Sequence, residues 1–442
     1  MLKPPRQVLA VIGAGPKGLA VAVKAKVLAE FGLPVDQVVL IERHSVAANW
    51  SGEAGYTNGA MALGTSPEKD VVFPLETAVV DARVTRAIRK RLLDFTWMAY
   101  LAEAGTFSDW IDRGRPAPCH RLWATYLQWV AAQLAPEVTV QQAEVLGIDL
   151  DKAAGQWRLR LRAAGKVSSE TLSVDRLMLT GPGQTRADFP VDQNGAAFAG
   201  GPSRVYDLDS YWRALKSGVF PTQGRLAIIG AGENAASALL SLSRDYDGLA
   251  IDLISPKGFI ATRAESYYEN QIYSQPERNG WKELALDDRR DFIERTDLGV
   301  FSVHAMHILN DERRHNILRG RVTALRTQDA KVTLSLSYQQ HVSERVYDFV
   351  LLATGFDYGA TLKAYMSPAA LSHLESQLDA PLSQEVLGRR IKSDLSVAGV
   401  TPALHLPMLA GLSQGPGFAN LSCLGRLADR ILMDRPVTEE CS

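Results

Sequence analysis

Three glycines with the spacing Gly13-x-Gly15-x-x-Gly18 follow a short apolar run, Leu9 to Ile12, and open a helical pattern. That spacing suits the binding of a dinucleotide. Gly13 permits the tight turn out of a strand, Gly15 lets the backbone approach a pyrophosphate, and Gly18 lets helix and strand pack closely. The helix that follows turns free N–H groups and its positive dipole end towards the phosphates. Val38 to Glu42 reads as the next strand, and Glu42 at its tip is placed for a ribose hydroxyl.

The same signal recurs. Leu226 to Ile229 leads into Gly230-x-Gly232-x-x-Ala235 and a second helix, with Asn234 inside the turn. Two copies imply two dinucleotide sites. The strand after the second copy, Ile251 to Ile254, ends in Ser255-Pro256-Lys257 with no acid at its tip. An acid there would repel a 2′-phosphate, whereas Lys257 or Arg263 can pair with one, so the second site is expected to take NADPH rather than NADH. Other chemistry has little support. His304 and His307 stand three apart without a third ligand pattern, so no metal is expected. There is no Gly-x-Ser-x-Gly elbow, Walker loop or His-Glu-x-x-His.

These residues need elements to hold them. The first crossover helix is expected over residues 16–31. Residues 44–75 form a long irregular stretch containing Trp50, and a loop of that length in a compact domain is usually functional. Trp50 reads equally as a core anchor or as a wall beside a bound ring. Helices are expected over 84–103 and 119–133; the stripe of Trp123, Tyr126 and Trp129 in the second reads as packing. Strands are expected at 137–149, 157–162, 175–180, near 320–337 and at 347–352, with a linker over 183–204 and a largely helical region over 262–320. The fold class is therefore α/β, with two Rossmann-like domains and a small helical region.

Composition limits the partners. The chain has 442 residues, 48 basic and 49 acidic side chains, and a net charge of -1. A nucleic-acid protein would need a basic surplus. No apolar run reaches the roughly 18 residues of a membrane helix. Residues 1–10 are basic then apolar, as in a signal peptide, but the apolar run is the first strand and feeds straight into the glycines. Cys119, Cys423 and Cys441 lie far apart, which suits a reducing cytoplasm.

Longer strings carry a more specific resemblance. They are Gly13-Ala-Gly-Pro-Lys-Gly18, Ala48-Asn-Trp50, Leu63-Gly-Thr-Ser-Pro-Glu-Lys-Asp70, Asp112-Arg-Gly-Arg-Pro-Ala-Pro118, Gly181-Pro-Gly-Gln184, Arg295-Thr-Asp-Leu-Gly-Val-Phe-Ser302 and Gln414-Gly-Pro-Gly-Phe-Ala-Asn-Leu-Ser-Cys-Leu-Gly425. Along nearly its whole length the sequence resembles the microbial N-hydroxylating flavin monooxygenases of siderophore biosynthesis, and within them the lysine N6-hydroxylases of the mycobactin and nocobactin type. It departs from the ornithine branch, which usually has His after the loop tryptophan and His-Gly near the C-terminus; here Ser51 and Gln414-Gly415 stand at those places. Asn420-Leu-Ser422 resembles the lysine branch.

The resemblance implies FAD at the first fingerprint and NADPH at the second. It implies that a flavin C4a-hydroperoxide hydroxylates the side-chain amine of L-lysine with O₂, so no protein side chain is expected to be catalytic in itself. It divides the chain into a first FAD-domain part, 1–204, an NADPH domain, 205–345, that includes the helical segment 262–320, and a second FAD-domain part, 346–442. It assigns Lys69 to the substrate carboxylate and Asn270, Asp297, Asn420 and Ser422 to the substrate site. Asp297 reads as a binding residue rather than a base, because a carboxylate beside an ammonium raises its pKa. Trp50, Thr354, Gly355 and Gln414 join the cofactor residues. A cytoplasmic enzyme without membrane or nucleic-acid partners is expected, with room for a homo-oligomer. Alternatives are an ornithine N5-hydroxylase, a flavin monooxygenase acting on another amine, on sulfur or on carbon, and a non-catalytic FAD-binding partner.

Overall fold

A computed structural model describes residues 6–190, 203–311 and 315–433. The chain builds two sheets. In the first, strand Val8–Ile12 lies parallel between Gln37–Glu42 and Arg176–Leu179. Ala403–His405 adds to one side, and Thr139–Asp151, Gln156–Ala163 and Glu170–Val174 extend the other. Its central strands are buried on both faces, which is why Leu9-Ala-Val11 reads as a continuous apolar run rather than an alternation. The second sheet is fully parallel, in the order His315–Arg319, Gly248–Ser255, Gln223–Ile229, Phe349–Leu352, Val205–Asp207.

Each glycine turn thus joins a strand inside its sheet to a helix, Pro16–Glu30 in the first and Glu233–Asp245 in the second. The first helix is buried along nearly its whole length, including three lysines. Lys24 donates to the Glu76 carbonyl at 2.6 Å and pairs with Asp429 at 2.9 Å, tying that helix to the C-terminal helix Leu424–Met433. Arg176 pairs with buried Asp36 and donates to the Ile431 carbonyl at 2.7 Å. These buried charges are tolerable because each has a partner. They lock the C-terminal helix against the first sheet and its helix.

Several elements differ from expectation. The helix expected over 84–103 is broken into Ala82–Leu92 and Trp97–Glu103. Thr96 caps the second piece by accepting from the Ala99 amide at 3.2 Å, and Asp70 accepts from the Trp97 amide at 2.9 Å. The single strand expected near 320–337 is a hairpin, Arg321–Gln328 with Lys331–Tyr338, turning at Asp329 and Ala330 with φ of 49° and 61°. Two consecutive positive φ values mark the hairpin turn that strand twist favours, but Ala is an unusual residue there, so the turn was hidden. His315–Arg319, expected to be helical, is an edge strand of the second sheet. Glu170–Val174 is a further strand, with only one buried residue to mark it in the sequence.

Strand 349–352 pairs with 226–229, so the second sheet continues past the boundary expected at 345. The chain crosses between sheets at Gln184–Thr185 and Phe356–Asp357, which pair antiparallel. Most of the linker expected over 183–204 lies outside the described residues. Trp123 and Tyr126 are fully buried against Trp97, so this aromatic stripe is packing. Among the described residues no helix is long and apolar enough to cross a membrane.

Candidate active site

The carboxyl ends of the two sheets' central strands carry the glycine turns. Gly13 has φ of 110°, and a Cβ there would strike the Thr180 hydroxyl at 2.2 Å. At Gly18 a Cβ would strike the Gly13 carbonyl at 2.1 Å. Gly15 differs: a Cβ would meet nothing within 4 Å. The space in front of Gly15 is open, and the helix it caps has no side-chain cap. That is the cradle a pyrophosphate needs. Glu42 stands over the turn, its carboxylate accepting from the Ala14 amide at 2.9 Å and the His44 amide at 3.0 Å.

The second turn repeats this geometry. Gly230 has φ of 122°, and its Cβ would strike the Ala353 carbonyl at 2.2 Å, whereas Gly232 has only the Gly299 amide near, at 3.9 Å. Thr354 and Gly355 lie beside this second turn, and the Thr354 hydroxyl is held by the Arg186 carbonyl. Lys257 sits just past the tip of Gly248–Ser255, with Glu294 3.9 Å away.

Between the sheets lies a cleft of about 250 Å³. It brings together Trp50, His120, Asn234, Arg263, Asn420 and Ser422 from five separate stretches of chain. Trp50 lines the cleft and packs edge-on against His120, with ring centroids 4.8 Å apart. The Asn420 side chain accepts from the Ser422 amide at 2.9 Å, while its own buried Nδ2 has no partner among the described residues. A buried amide donor left unpaired at a cleft marks a place for a ligand acceptor.

Lys69 Nζ donates to Asn270 Oδ1 at 2.6 Å. The loop cation and the helical amide, 201 positions apart, therefore form one unit; like Asp297 they stand outside the cleft lining, next to Arg263, which is part of it. Burial lowers the Lys69 pKa, as does neighbouring Arg263, with Glu265 opposing them. Its neighbour Asp70 plays a different part. It faces inward and accepts from backbone amides of Val72 and Trp97, and burial raises its pKa to about 7.

Three expected roles need correction. Arg263 does not stand free for a 2′-phosphate. It pairs with Asp297 and donates to the Gly64 carbonyl at 3.4 Å, inside the cleft. Burial opposes its charge, and Asp297, Glu233 and Glu265 more than restore it. Asp297 is in turn neutralised and offers no bare carboxylate to an ammonium. Gln414 is also spent elsewhere: its amide donates to the Ile391 carbonyl at 2.7 Å and accepts from Arg430 at 3.2 Å, away from the cleft lining.

A family model described as L-lysine 6-monooxygenase/L-ornithine 5-monooxygenase matches residues 88–358. The L-lysine N6-monooxygenase MbtG of Mycolicibacterium paratuberculosis is 42% identical over 96% of this chain and 94% of its own. The chain belongs to the lysine/ornithine N-monooxygenase family. MbtG of Mycobacterium tuberculosis is 41% identical with the same coverage. The solved lysine monooxygenase NbtG of Nocardia farcinica superposes with a TM-score of 0.82 at 38% identity, covering 97% of this chain and 100% of that one.

Within the family's two-nucleotide architecture, three side chains escaped the sequence. Arg319 ends the strand beside Gly248–Ser255, opposite Ser255, and its stem lies over Gly258 so closely that a Cβ there would strike it at 2.6 Å. Its guanidinium stacks on Tyr338 at 4.5 Å, and no carboxylate among the described residues pairs with it. It was hidden because its short strand was read as part of a helical region. Lys17, inside the first glycine turn, is buried and donates to the Ala419 carbonyl at 3.0 Å, next to Asn420. Burial lowers its pKa to about 8 against the pull of Cys423 and Asp297. His120 is the third.

Proposed function

We infer that this chain is an FAD- and NADPH-dependent monooxygenase that hydroxylates the side-chain amine of L-lysine with O₂, giving N6-hydroxy-L-lysine for hydroxamate siderophore assembly. The observation that carries the substrate reading is the Lys69–Asn270 pair at 2.6 Å. It offers a fixed cation to an amino-acid carboxylate beside a cleft served by two nucleotide turns. The activity named for the mycobacterial and nocardial relatives agrees with it.

The open cradle at Gly15, with Glu42 above it, fits FAD. Gly232, Asn234, Lys257 and Arg319 fit NADPH, the two cations taking the 2′-phosphate. When bound, the flavin accepts hydride and activates oxygen. The chain positions the amine and keeps it reactive. Lys69 and Asn270 hold the carboxylate end, and the free Asn420 amide with Ser422 lines the cleft. A lysine ammonium has a pKa near 10.4 and must lose a proton before it can attack. Lys69 places positive charge near the bound chain, and the Arg263–Asp297 ion pair adds no net negative charge, which favours the neutral amine. Paired with Arg263, the Asp297 carboxylate beside the cleft would not trap the ammonium.

Two free cysteines, Cys119 and Cys423, support a cytoplasmic setting. Turnover of lysine, ornithine and cadaverine side by side tests the proposal. Lysine should be hydroxylated at the highest kcat/KM, and preference for ornithine would move the chain to the other branch.

A further inference from the structure

We propose that His120 donates a hydrogen bond from Nε2 to the ring system of the bound flavin and thereby favours its reduction. The inference rests on the FAD reading above.

His120 begins the helix His120–Ala132 and lines the cleft beside Trp50. Its Nδ1 lies 3.0 Å from the Thr57 hydroxyl. Thr57 is 5% exposed, and its oxygen already accepts from the Gly59 amide at 3.1 Å. The hydroxyl proton therefore needs an acceptor, and Nδ1 is the one within reach. Were Nδ1 itself protonated, a buried hydroxyl proton would be stranded, at a cost of about 1–3 kcal/mol. The ring proton thus sits on Nε2, which has no partner among the described residues. Burial also lowers the His120 pKa to about 4, so the ring remains a neutral donor under working conditions.

Both glycine turns border this cleft, since Glu233, Asn234 and Ser237 line it as well, but the wall that packs on His120 is tied to the first. The Ala47 amide donates to the Ala14 carbonyl of the first glycine turn at 3.3 Å. The short helix Ala48–Ser51 starts there and carries Trp50 against His120. A nucleotide seated on that turn would have this wall beside it where it reached the cleft. Lys69 and Asn270, by contrast, come from other segments. Hydride transfer from NADPH leaves NADP⁺ and adds two electrons and one proton to the flavin, whose pyrimidine edge takes up negative charge. A fixed N–H donor stabilises that product more than the oxidised ring.

The test uses FAD-loaded protein without any amine, so it does not depend on the substrate. Flavin reduction is equilibrated against a reference dye for the wild type, His120→Phe, His120→Gln and Thr57→Val. Loss of a hydrogen bond to a charged group predicts a reduced-to-oxidised ratio about 10- to 100-fold lower in His120→Phe. His120→Gln, which keeps a donor, should recover most of it. Thr57→Val, which frees the tautomer while keeping the ring, should fall between. An unchanged ratio in His120→Phe, or the same loss in His120→Gln, overturns the inference while leaving the FAD reading intact. If His120→Phe cannot hold FAD, an unchanged ratio in Thr57→Val overturns it. A wild type that binds no FAD refutes the proposed function instead.

Discussion

Replacing Lys69 with Ala removes the cation proposed to hold the substrate carboxylate. In the structure Nζ makes one close polar contact, 2.6 Å to Asn270 Oδ1, and burial already disfavours its charge. A second, anionic partner would therefore be gained at a partly desolvated site. Hydrogen bonds to charged groups contribute about 1.5–3 kcal/mol. At 1.36 kcal/mol per factor of ten, KM for lysine should rise about 10- to 100-fold. FAD content and NADPH-driven flavin reduction should change little, because both glycine turns lie elsewhere. Cadaverine, which lacks the carboxylate, should be a poor substrate for the wild type and nearly indifferent to the change. The assay is steady-state formation of hydroxylated amine, run beside stopped-flow flavin reduction. Equal losses with lysine and cadaverine would refute the anchor and assign Lys69 to the flavin, to NADP⁺ or to the fold.

Gly15→Val fills the open cradle of the first turn and should give colourless protein, whereas Gly232→Val should stay yellow but resist reduction by NADPH; exchanged phenotypes would reverse the two sites. Replacing Lys257 and Arg319 together with Ala should raise KM for NADPH about 10- to 100-fold while barely changing NADH, and Arg263→Ala should instead act on lysine. Comparable effects on both nucleotides would exclude the two cations from the 2′-phosphate. Lys17 titrates at about 8 in the folded chain against an ordinary 10.5, so between those values the unfolded state binds more protons and stability rises with pH. The charged form costs about 3 kcal/mol in total. Urea midpoints should show the wild type gaining on Lys17→Met from pH 8 to 10.5, and a constant gap would mean that the buried lysine is not strained.

Much of the architecture was legible because the glycine turns couple sequence to geometry tightly. Gly13 and Gly230 need positive φ, and Gly18 needs contact with backbone, so few other residues could stand there. Lys69 stood in a specific string and Asn270 was implied by the resemblance, and the fold supplied their contact. What stayed hidden was how charges are spent. Arg263 and Arg319 are both cations near the second nucleotide strand, and no local pattern says that the first faces Asp297 while the second lies over Gly258. Gln414 stood in a specific string, yet its amide serves Ile391 and Arg430. His120 opens a helix whose aromatic stripe is packing. Its role depends on Thr57, 63 positions away. Such pairings come from packing at long range, which residue types alone do not encode.

The most direct test of the central claim is mass spectrometry of the product formed from L-lysine with FAD, NADPH and heavy-isotope-labelled O₂. The account predicts N6-hydroxylysine carrying one labelled oxygen on the side-chain nitrogen, formed as NADPH is consumed. NADPH consumption without labelled hydroxylysine, or label found on carbon, would contradict it.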